Sequence, residues 1–203
     1  MNGSVVVASI DKKLNILDLA SGKLVKTIGI NGAVMGGLIP GEDKLYFSTL
    51  ANEVDAFDPE NGVVEPLLQT ASEIWAAPLV LEDRLVVADM AGNVYANDIR
   101  TGESIWTLTN VFGDESGAIA APVALRDGNL LIVGENGDLL IYDSEGKSVN
   151  TRSTKLKILT TPVVSSDSVV VAFLSGDSLL RSYTPDLKED WLYSETPADG
   201  QAE

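Results

Sequence analysis

Two short acidic, glycine-rich segments contain the residue types that could do chemistry. Residues 113–117, GDESG, place a serine between glycines, and residues 134–138, GENGD, carry oxygen ligands of the kind that calcium prefers. Ser116 lacks the spacing of a G-x-S-x-G nucleophile motif, and the chain has no histidine to activate it. Residues 134–138 contain Asn-Gly, which favours a tight hairpin turn. We therefore interpret both segments as loops or turns, and we predict no catalytic or metal-binding residue.

The composition excludes several classes of function. The chain has no cysteine and no histidine, so thiolate nucleophiles, disulfides, Ser-His-Asp triads and the usual zinc sites are absent. Lys and Arg total 14 against 30 Asp and Glu, and the net charge of -16 disfavours nucleic acid and anionic membrane surfaces. The apolar runs are far shorter than the roughly 20 residues of a membrane-spanning helix. The first residues, MNGSVVVAS, do not have the pattern of a signal peptide.

A motif that ends in glycine recurs along the chain. The glycines are Gly22, Gly62, Gly102 and Gly146, which lie 40, 40 and 44 residues apart. Before each glycine comes a strand-turn-strand pattern such as RLVVADMAGNVYAN, and after it an apolar segment such as ESIWTLT. A further block, with one large apolar residue followed by two small ones and Pro or Leu, precedes all copies but the first; it reads MGGLI, WAAPLV, IAAPVA and LTTPVV. Each repeat thus supplies four short strands.

This regularity predicts an all-β fold, a β-propeller of about five four-stranded antiparallel blades. A β-helix would repeat over far fewer residues, and a sandwich would not keep so regular a period. We predict one domain, residues 1–194, and a flexible acidic tail, residues 195–203. The predicted repeats are 1–32, 33–72, 73–114, 115–156 and 157–194. Because the first repeat begins at its second strand and the polar tail cannot supply the missing one, we expect an incomplete or open arc, to which further blades could belong.

The segment YANDIRTGESIW shows what the glycine motif does physically. The carboxylate of Asp98 can accept backbone N–H groups in a turn, and Gly102 can adopt the positive φ that closes it. Ala96 is small enough for close packing, and Trp106 can lie against the turn of a neighbouring blade while its indole N–H finds an acceptor. We predict that these four residues form a blade-docking motif.

This motif resembles the Ala-x-Asp-x-x-x-Gly-x-x-x-Trp docking motif of propellers with pyrroloquinoline-quinone (PQQ)-like repeats. The resemblance covers most of the chain, although by spacing Lys26, Pro66 and Asn150 stand at the tryptophan position of other copies. Trp191 is assigned to the last copy, with altered spacing. One branch of this family comprises quinoprotein alcohol dehydrogenases, which hold the quinone beside a disulfide of adjacent cysteines and a bound calcium ion. A second branch is similar to the propeller lipoprotein of the outer-membrane β-barrel assembly machinery, which binds proteins without chemistry.

The missing cysteines favour the second branch. The resemblance then implies a non-catalytic protein-binding scaffold of the bacterial periplasm or cell envelope, with protein partners, no cofactor, and neither PQQ nor calcium. The alternative is a fragment of a PQQ-dependent dehydrogenase whose cofactor site lies outside this chain.

The segments that lead into the first strand of each blade are the predicted binding surface. They carry Glu73, Glu115, Lys155 and Lys157, which we expect near the mouth of the central channel. Trp75, the large apolar residue of its block, is predicted to lie in the core.

Overall fold

The chain folds into five antiparallel sheets that form an open propeller arc, as the sequence predicts. The computed structural model describes residues 3–113, 117–118, 120–174 and 179–194. The predicted tail, residues 195–203, lies outside this part of the chain, and the predicted limits of the domain and its repeats stay predictions. No helix in the described residues is long and apolar enough to cross a bilayer.

The sheets follow one another along the chain and are called blades 1 to 5. Blade 1 has three strands, β1 (Ser4–Ser9), β2 (Lys13–Asp18) and β3 (Leu24–Gly29). Blade 2 has β4 (Ile39–Pro40), β5 (Leu45–Ser48), β6 (Glu53–Asp58) and β7 (Val63–Gln69). Blade 3 has β8 (Leu79–Leu81), β9 (Arg84–Ala88), β10 (Val94–Asp98) and β11 (Ser104–Leu108). Blade 4 has β12 (Val123–Ala124), β13 (Leu130–Val133), β14 (Asp138–Tyr142) and β15 (Ser148–Ser153), and blade 5 has β16 (Val163–Val164), β17 (Val169–Ala172), β18 (Leu180–Tyr183) and β19 (Glu189–Tyr193).

The hydrophobic core is divided among the junctions between blades. Four clusters of buried side chains lie between successive blades, and the largest side chains in them include Phe47, Phe57, Leu131 and Tyr183. Strands such as β5, β9 and β13 are buried on both faces because a blade packs on each side, which is why they contain runs such as LYFS and LLIV. The outer strands are largely exposed. Each blade is therefore held mainly by its neighbours.

The innermost strands are shorter than the WAAPLV-type block predicts. Strands β4, β8 and β12 contact one another at the inner side of the arc, but each has only two or three residues. Pro78, Pro122 and Pro162 lie just before β8, β12 and β16 rather than within them. A proline cannot donate to the strand ladder, so pairing begins after it.

The Asp98–Gly102 turn joins β10 to β11. Oδ1 of Asp98 accepts hydrogen bonds from the backbone N–H groups of Arg100 and Thr101, each at 2.9 Å, and the Thr101 hydroxyl donates to it at 3.1 Å. These bonds, those from the Thr101 and Arg100 backbone first, lower the pKa of Asp98. Gly102 has φ +73 and donates its N–H to the carbonyl of Asp98. These hydrogen bonds hold the turn in one conformation at the side of the blade.

The outer strand of blade 3 docks on the corresponding turn of blade 4. Trp106 pairs across the sheet with Ala96, which is fully buried, and so projects toward blade 4. Its indole Nε1 donates to the carbonyl of Ser144 at 3.0 Å. Gly146 lies under the ring, so close that a Cβ there would be 2.9 Å from Trp106 Cδ2. One side chain thus supplies a hydrogen bond and a packing surface between blades.

The other junctions use the same contact with different side chains. Each joins an outer strand to the β-turn of the next blade, through Lys26 on Gly62, Leu67 on Gly102 and Asn150 on the carbonyl of Asp186. Between blades 2 and 3 the spacing from Gly62 assigned the docking position to the wrong residue, one place too far along the chain. A bulge at Leu67 makes Glu65, not Pro66, the cross-strand neighbour of Ala56. Trp191 pairs with Ser182 in blade 5 as Trp106 pairs with Ala96 in blade 3, which agrees with its assignment to the last copy.

We predict that Trp106→Ala lowers the free energy of unfolding by about 2–3 kcal/mol, because it removes both the packing on Gly146 and the bond to Ser144. Urea unfolding followed by circular dichroism measures the change. Ile105→Ala, at an exposed neighbouring position of the same strand, is the matched control and should cost less than about 1 kcal/mol. Equal losses in the two variants would contradict a docking role for Trp106.

Candidate functional site: the channel-mouth surface

The lead-in segments, which precede the first strand of blades 2 to 5, are fastened by backbone hydrogen bonds on both sides. They comprise residues 30–38, 70–78, 113–121 and 154–162, of which 114–116 and 119 lie outside the described residues. In the segment before blade 3, Ile74 donates its N–H to the carbonyl of Thr49 in blade 2 at 3.4 Å. The carbonyl of Glu73 accepts from Met90 of blade 3 at 2.9 Å. The segment therefore bridges two blades through its backbone.

The same pair of bonds recurs in the next two lead-in segments. Ala118 donates to Asp89 of blade 3 at 3.2 Å, and the carbonyl of Gly117 accepts from blade 4 at 3.0 Å. Ile158 donates to Glu135 of blade 4 at 3.2 Å, and the carbonyl of Lys157 accepts from blade 5 at 2.9 Å. Glu73 and Lys157 thus hold equivalent places in the fold. Their backbones therefore have the same structural role in the two segments.

Side chains in these segments alternate between the core and the surface. Ile74 and Ile158 are each 1% exposed, while Trp75 is 40% exposed. The prediction that Trp75 lies in the core is therefore wrong. The inward position belongs to the residue before it, because the backbone bonds of Ile74 fix the segment with that side chain between the blades. Met35 and Leu159, at the corresponding positions of blades 2 and 5, are 46% and 37% exposed.

Adjacent lead-in segments touch at the inner side of the arc. A Cβ at Gly36 would collide with the backbone of Ala76 and Ala77, so the segments that carry Met35 and Trp75 are in direct contact. Between blades 4 and 5, the N–H of Ala121 donates to the Thr161 hydroxyl at 3.0 Å. We call Met35, Trp75 and Leu159 the channel-mouth row. They are large apolar side chains held exposed on fixed backbone.

The charged residues predicted at the channel mouth lie on the same segments but do not form one cluster. Glu73 is exposed; its own backbone N–H and the Ser72 hydroxyl, which donates at 2.9 Å, lower its pKa. Lys157 forms an ion pair with Glu135 of blade 4. Lys155 is exposed at φ 56 and has no ion-pair partner among the described residues. Glu115 lies outside the described residues.

The fold and these segments match a known family over most of the chain. The family model described as outer membrane protein assembly factor BamB matches residues 1–173 and 90–202. The chain belongs to the BamB family. BamB of Burkholderia pseudomallei (strain K96243) is 28% identical over 101 residues, which are 49% of this chain and 25% of that protein.

A solved BamB structure has the same architecture. The crystal structure of BamB from Moraxella catarrhalis has a TM-score of 0.75 and 17% sequence identity, and the match covers 95% of this chain and 61% of that chain. At this identity the likeness establishes the propeller fold alone. The chain spans about a quarter of the length of the curated BamB and about three fifths of the solved one.

This BamB-family chain contains two buried carboxylates among the described residues, Asp55 and Asp89, and the sequence pattern singled out neither. The carboxylate of Asp89 accepts four hydrogen bonds, whereas that of Asp55 has none in the described part of the chain. Asp55 on β6 is 3% exposed, pairs across the sheet with Phe47 and Pro66, and accepts no hydrogen bond from a described residue. Burial and the nearby Glu53 carboxylate raise the pKa of Asp55 to about 6. The signal was present in EVDAF, where strand alternation puts Asp55 on the same face as Phe57, which is fully buried against blade 1. In the described residues, no three acidic side chains group closely enough to hold a metal ion.

Asp55 should make the stability of the protein fall as the pH rises from about 4 to 6. The folded state binds this proton more tightly than the unfolded state, so deprotonation costs up to about 3 kcal/mol once the pH exceeds 6. We predict that Asp55→Asn is more stable than the native chain by about 1–3 kcal/mol at pH 8, with a smaller difference at pH 4. Urea unfolding at several pH values measures it, and Asp190→Asn on the exposed strand β19 controls for net charge. An unchanged pH slope in Asp55→Asn would contradict the assignment.

Proposed function

We propose that this chain is a non-catalytic, protein-binding scaffold of the bacterial cell envelope that serves the assembly of outer-membrane proteins. The observation that carries this proposal is the channel-mouth row, in which Met35, Trp75 and Leu159 stay exposed on segments that backbone hydrogen bonds hold in place. The segments of Met35 and Trp75 also touch each other. The family to which the chain belongs is described as an outer membrane protein assembly factor. The proposal extends that description to this chain, and it involves no cofactor.

The row has the physical character of a protein interface. Aromatic residues and methionine are enriched in protein interfaces. A group of exposed large apolar side chains marks a binding surface more often than apolar residues that are scattered singly over the surface. Backbone bonds already hold the segments that carry these side chains, so a partner loses little affinity in ordering them. Glu73, Lys155 and Lys157 then form a polar rim, and the net charge of -16 favours partners that carry positive charge.

Site-specific photo-crosslinking tests this function. We expect a photoreactive amino acid at position 75, introduced in the source cell, to form adducts with proteins of outer-membrane assembly. The same amino acid at Val149, which is 53% exposed on outer strand β15, should form far fewer. Equal labelling at the two positions, or labelling only of unrelated proteins, would argue against the channel-mouth row as the binding surface.

Trp75→Ala separates binding from stability. Because Trp75 is partly exposed, we expect the substitution to cost less than about 1 kcal/mol of folding free energy but to lower the yield of photo-crosslinks from a neighbouring position at least about fivefold.

For the alternative, a PQQ-dependent enzyme, addition of PQQ and calcium should raise the melting temperature and change the quinone absorbance. We expect neither change for a scaffold.

A further inference from the structure

A cavity of about 720 Å³ opens between blades 2 and 3. Its wall includes the β4–β5 turn, the β8–β9 turn, outer strand β7 and the Asp98–Gly102 turn. Because the strands of each blade are antiparallel, these turns lie at the end of the blades opposite to the lead-in segments. The cavity, which we call the side groove, is therefore separate from the channel-mouth row.

The side groove lies at a junction that lacks a docking tryptophan. At the junction of blades 3 and 4, Trp106 is the cross-strand neighbour of Ala96 and fills the space over Gly146. At the junction of blades 2 and 3, Glu65 takes the equivalent place opposite Ala56, and the smaller Leu67 lies over Gly102. A carboxylate and a leucine fill less space than an indole ring. The unfilled space opens to solvent between the two blades.

The floor of the groove contains an unused hydrogen-bonding group. Tyr46, which lines the groove, is 6% exposed, and its hydroxyl has no hydrogen-bond partner among the described residues. Burial raises the pKa of Tyr46, so its hydroxyl stays protonated and can donate a bond at neutral pH. Leu67, Val80 and Ile99 supply apolar walls around it. The floor suits a flat apolar group that carries one acceptor or donor.

The rim of the groove is acidic. Glu42, Asp43, Glu82 and Asp83 lie on the two turns that border it. The basic residues of the lining are already engaged. Lys44 forms an ion pair with Glu65 at 3.0 Å, and Arg100 lies 3.9 Å from Asp98. Asp83 lies 3.8 Å from the Arg84 Nε, but the structure shows no ion pair between Glu42, Asp43 or Glu82 and any described residue. These three carboxylates leave the rim with a net negative charge, which attracts a cationic ligand.

We propose that the side groove binds a short basic segment of a partner protein that inserts one aromatic side chain between blades 2 and 3. The aromatic ring occupies the space that a docking tryptophan fills elsewhere and contacts the apolar walls and the Tyr46 hydroxyl. Lysine or arginine residues beside it pair with the acidic rim. The volume lies within the range of about 300–1,000 Å³ that is typical of ligand sites. This inference rests on the proposed protein-binding function and adds a second surface with its own partner chemistry.

Titration of the isotope-labelled chain with acetyl-Lys-Trp-Lys-amide, followed by amide NMR shifts, tests the proposal. We expect saturable shifts at residues 41–46, 65–67, 80–83 and 99–101. Acetyl-Glu-Trp-Glu-amide and acetyl-Lys-Gly-Lys-amide, which lack the cations or the ring, should each bind at least about fivefold more weakly. Equal affinity for all three peptides, or shifts confined to other residues, would overturn the proposal.

Charge reversal at the rim provides a matched pair of variants. Glu42→Lys with Glu82→Lys should weaken binding of acetyl-Lys-Trp-Lys-amide at least about fivefold, and Lys12 shows that lysine fits the positive φ that Glu82 adopts. Glu60→Lys with Glu145→Lys changes two exposed turn residues outside the groove and alters the net charge equally. This control should weaken binding less than about twofold. Equal effects of the two double variants would overturn the proposal, since they would show attraction to net charge alone.

Filling the groove from within is the second test. Leu67→Trp places an indole ring at the junction and should abolish the peptide-induced shifts; circular dichroism checks that the variant folds. If it does not fold, the rim variants decide the matter. Photo-crosslinking at position 75 reports the channel-mouth row separately. A groove that fails to bind while these crosslinks persist would overturn the side-groove proposal alone, whereas loss of crosslinks would count against the proposed function.

Discussion

The contact between an outer strand and the next turn determines the geometry of the whole arc. The turn is stiffened by carboxylate-to-backbone bonds at Asp98 and its counterparts Asp18 and Asp58, and a glycine with positive φ presents a flat face to the preceding blade. In blades 3 and 4 this residue has to be glycine, since a Cβ on Gly102 or Gly146 would strike the preceding outer strand. The spacing between blades, and with it the position of the lead-in segments, follows from this one contact.

The sequence predicted the fold well because the repeat carries information at several levels. The 40-residue spacing, the Asp-to-Gly turns and the alternating strands all indicated blades, and each signal depends on local backbone chemistry. The prediction from sequence was wrong where the strand register depends on packing. Bulges are placed differently in β7 and β11, so counting residues from Gly62 assigned Pro66 to a position that Glu65 occupies.

The candidate site was only partly predictable. The lead-in segments were identified from their position before each inner strand, but not the direction of their side chains. That direction depends on bonds between Ile74 and Thr49 and between Met90 and Glu73, which join residues distant in sequence. Trp75 was assigned to the core because it is the large apolar residue of its inner-strand block. Asp55 was missed because one carboxylate in an apolar strand carries no repeat signal, although strand alternation gives its face.

Because different side chains serve the junctions between blades, the junctions differ in stability along the arc. An indole packs between blades 3 and 4, whereas an amine at Gly62 and an amide at Asp186 serve the junctions nearer the ends. In a nearest-neighbour chain of this kind, local opening begins at the weakest links and the strongest link opens last. Amide hydrogens of blades 3 and 4 should therefore exchange with solvent most slowly, and the end blades can fluctuate without disturbing the centre. In this chain, blades 3 and 4 are therefore the most rigid part of the arc, and the first and last blades are the most flexible.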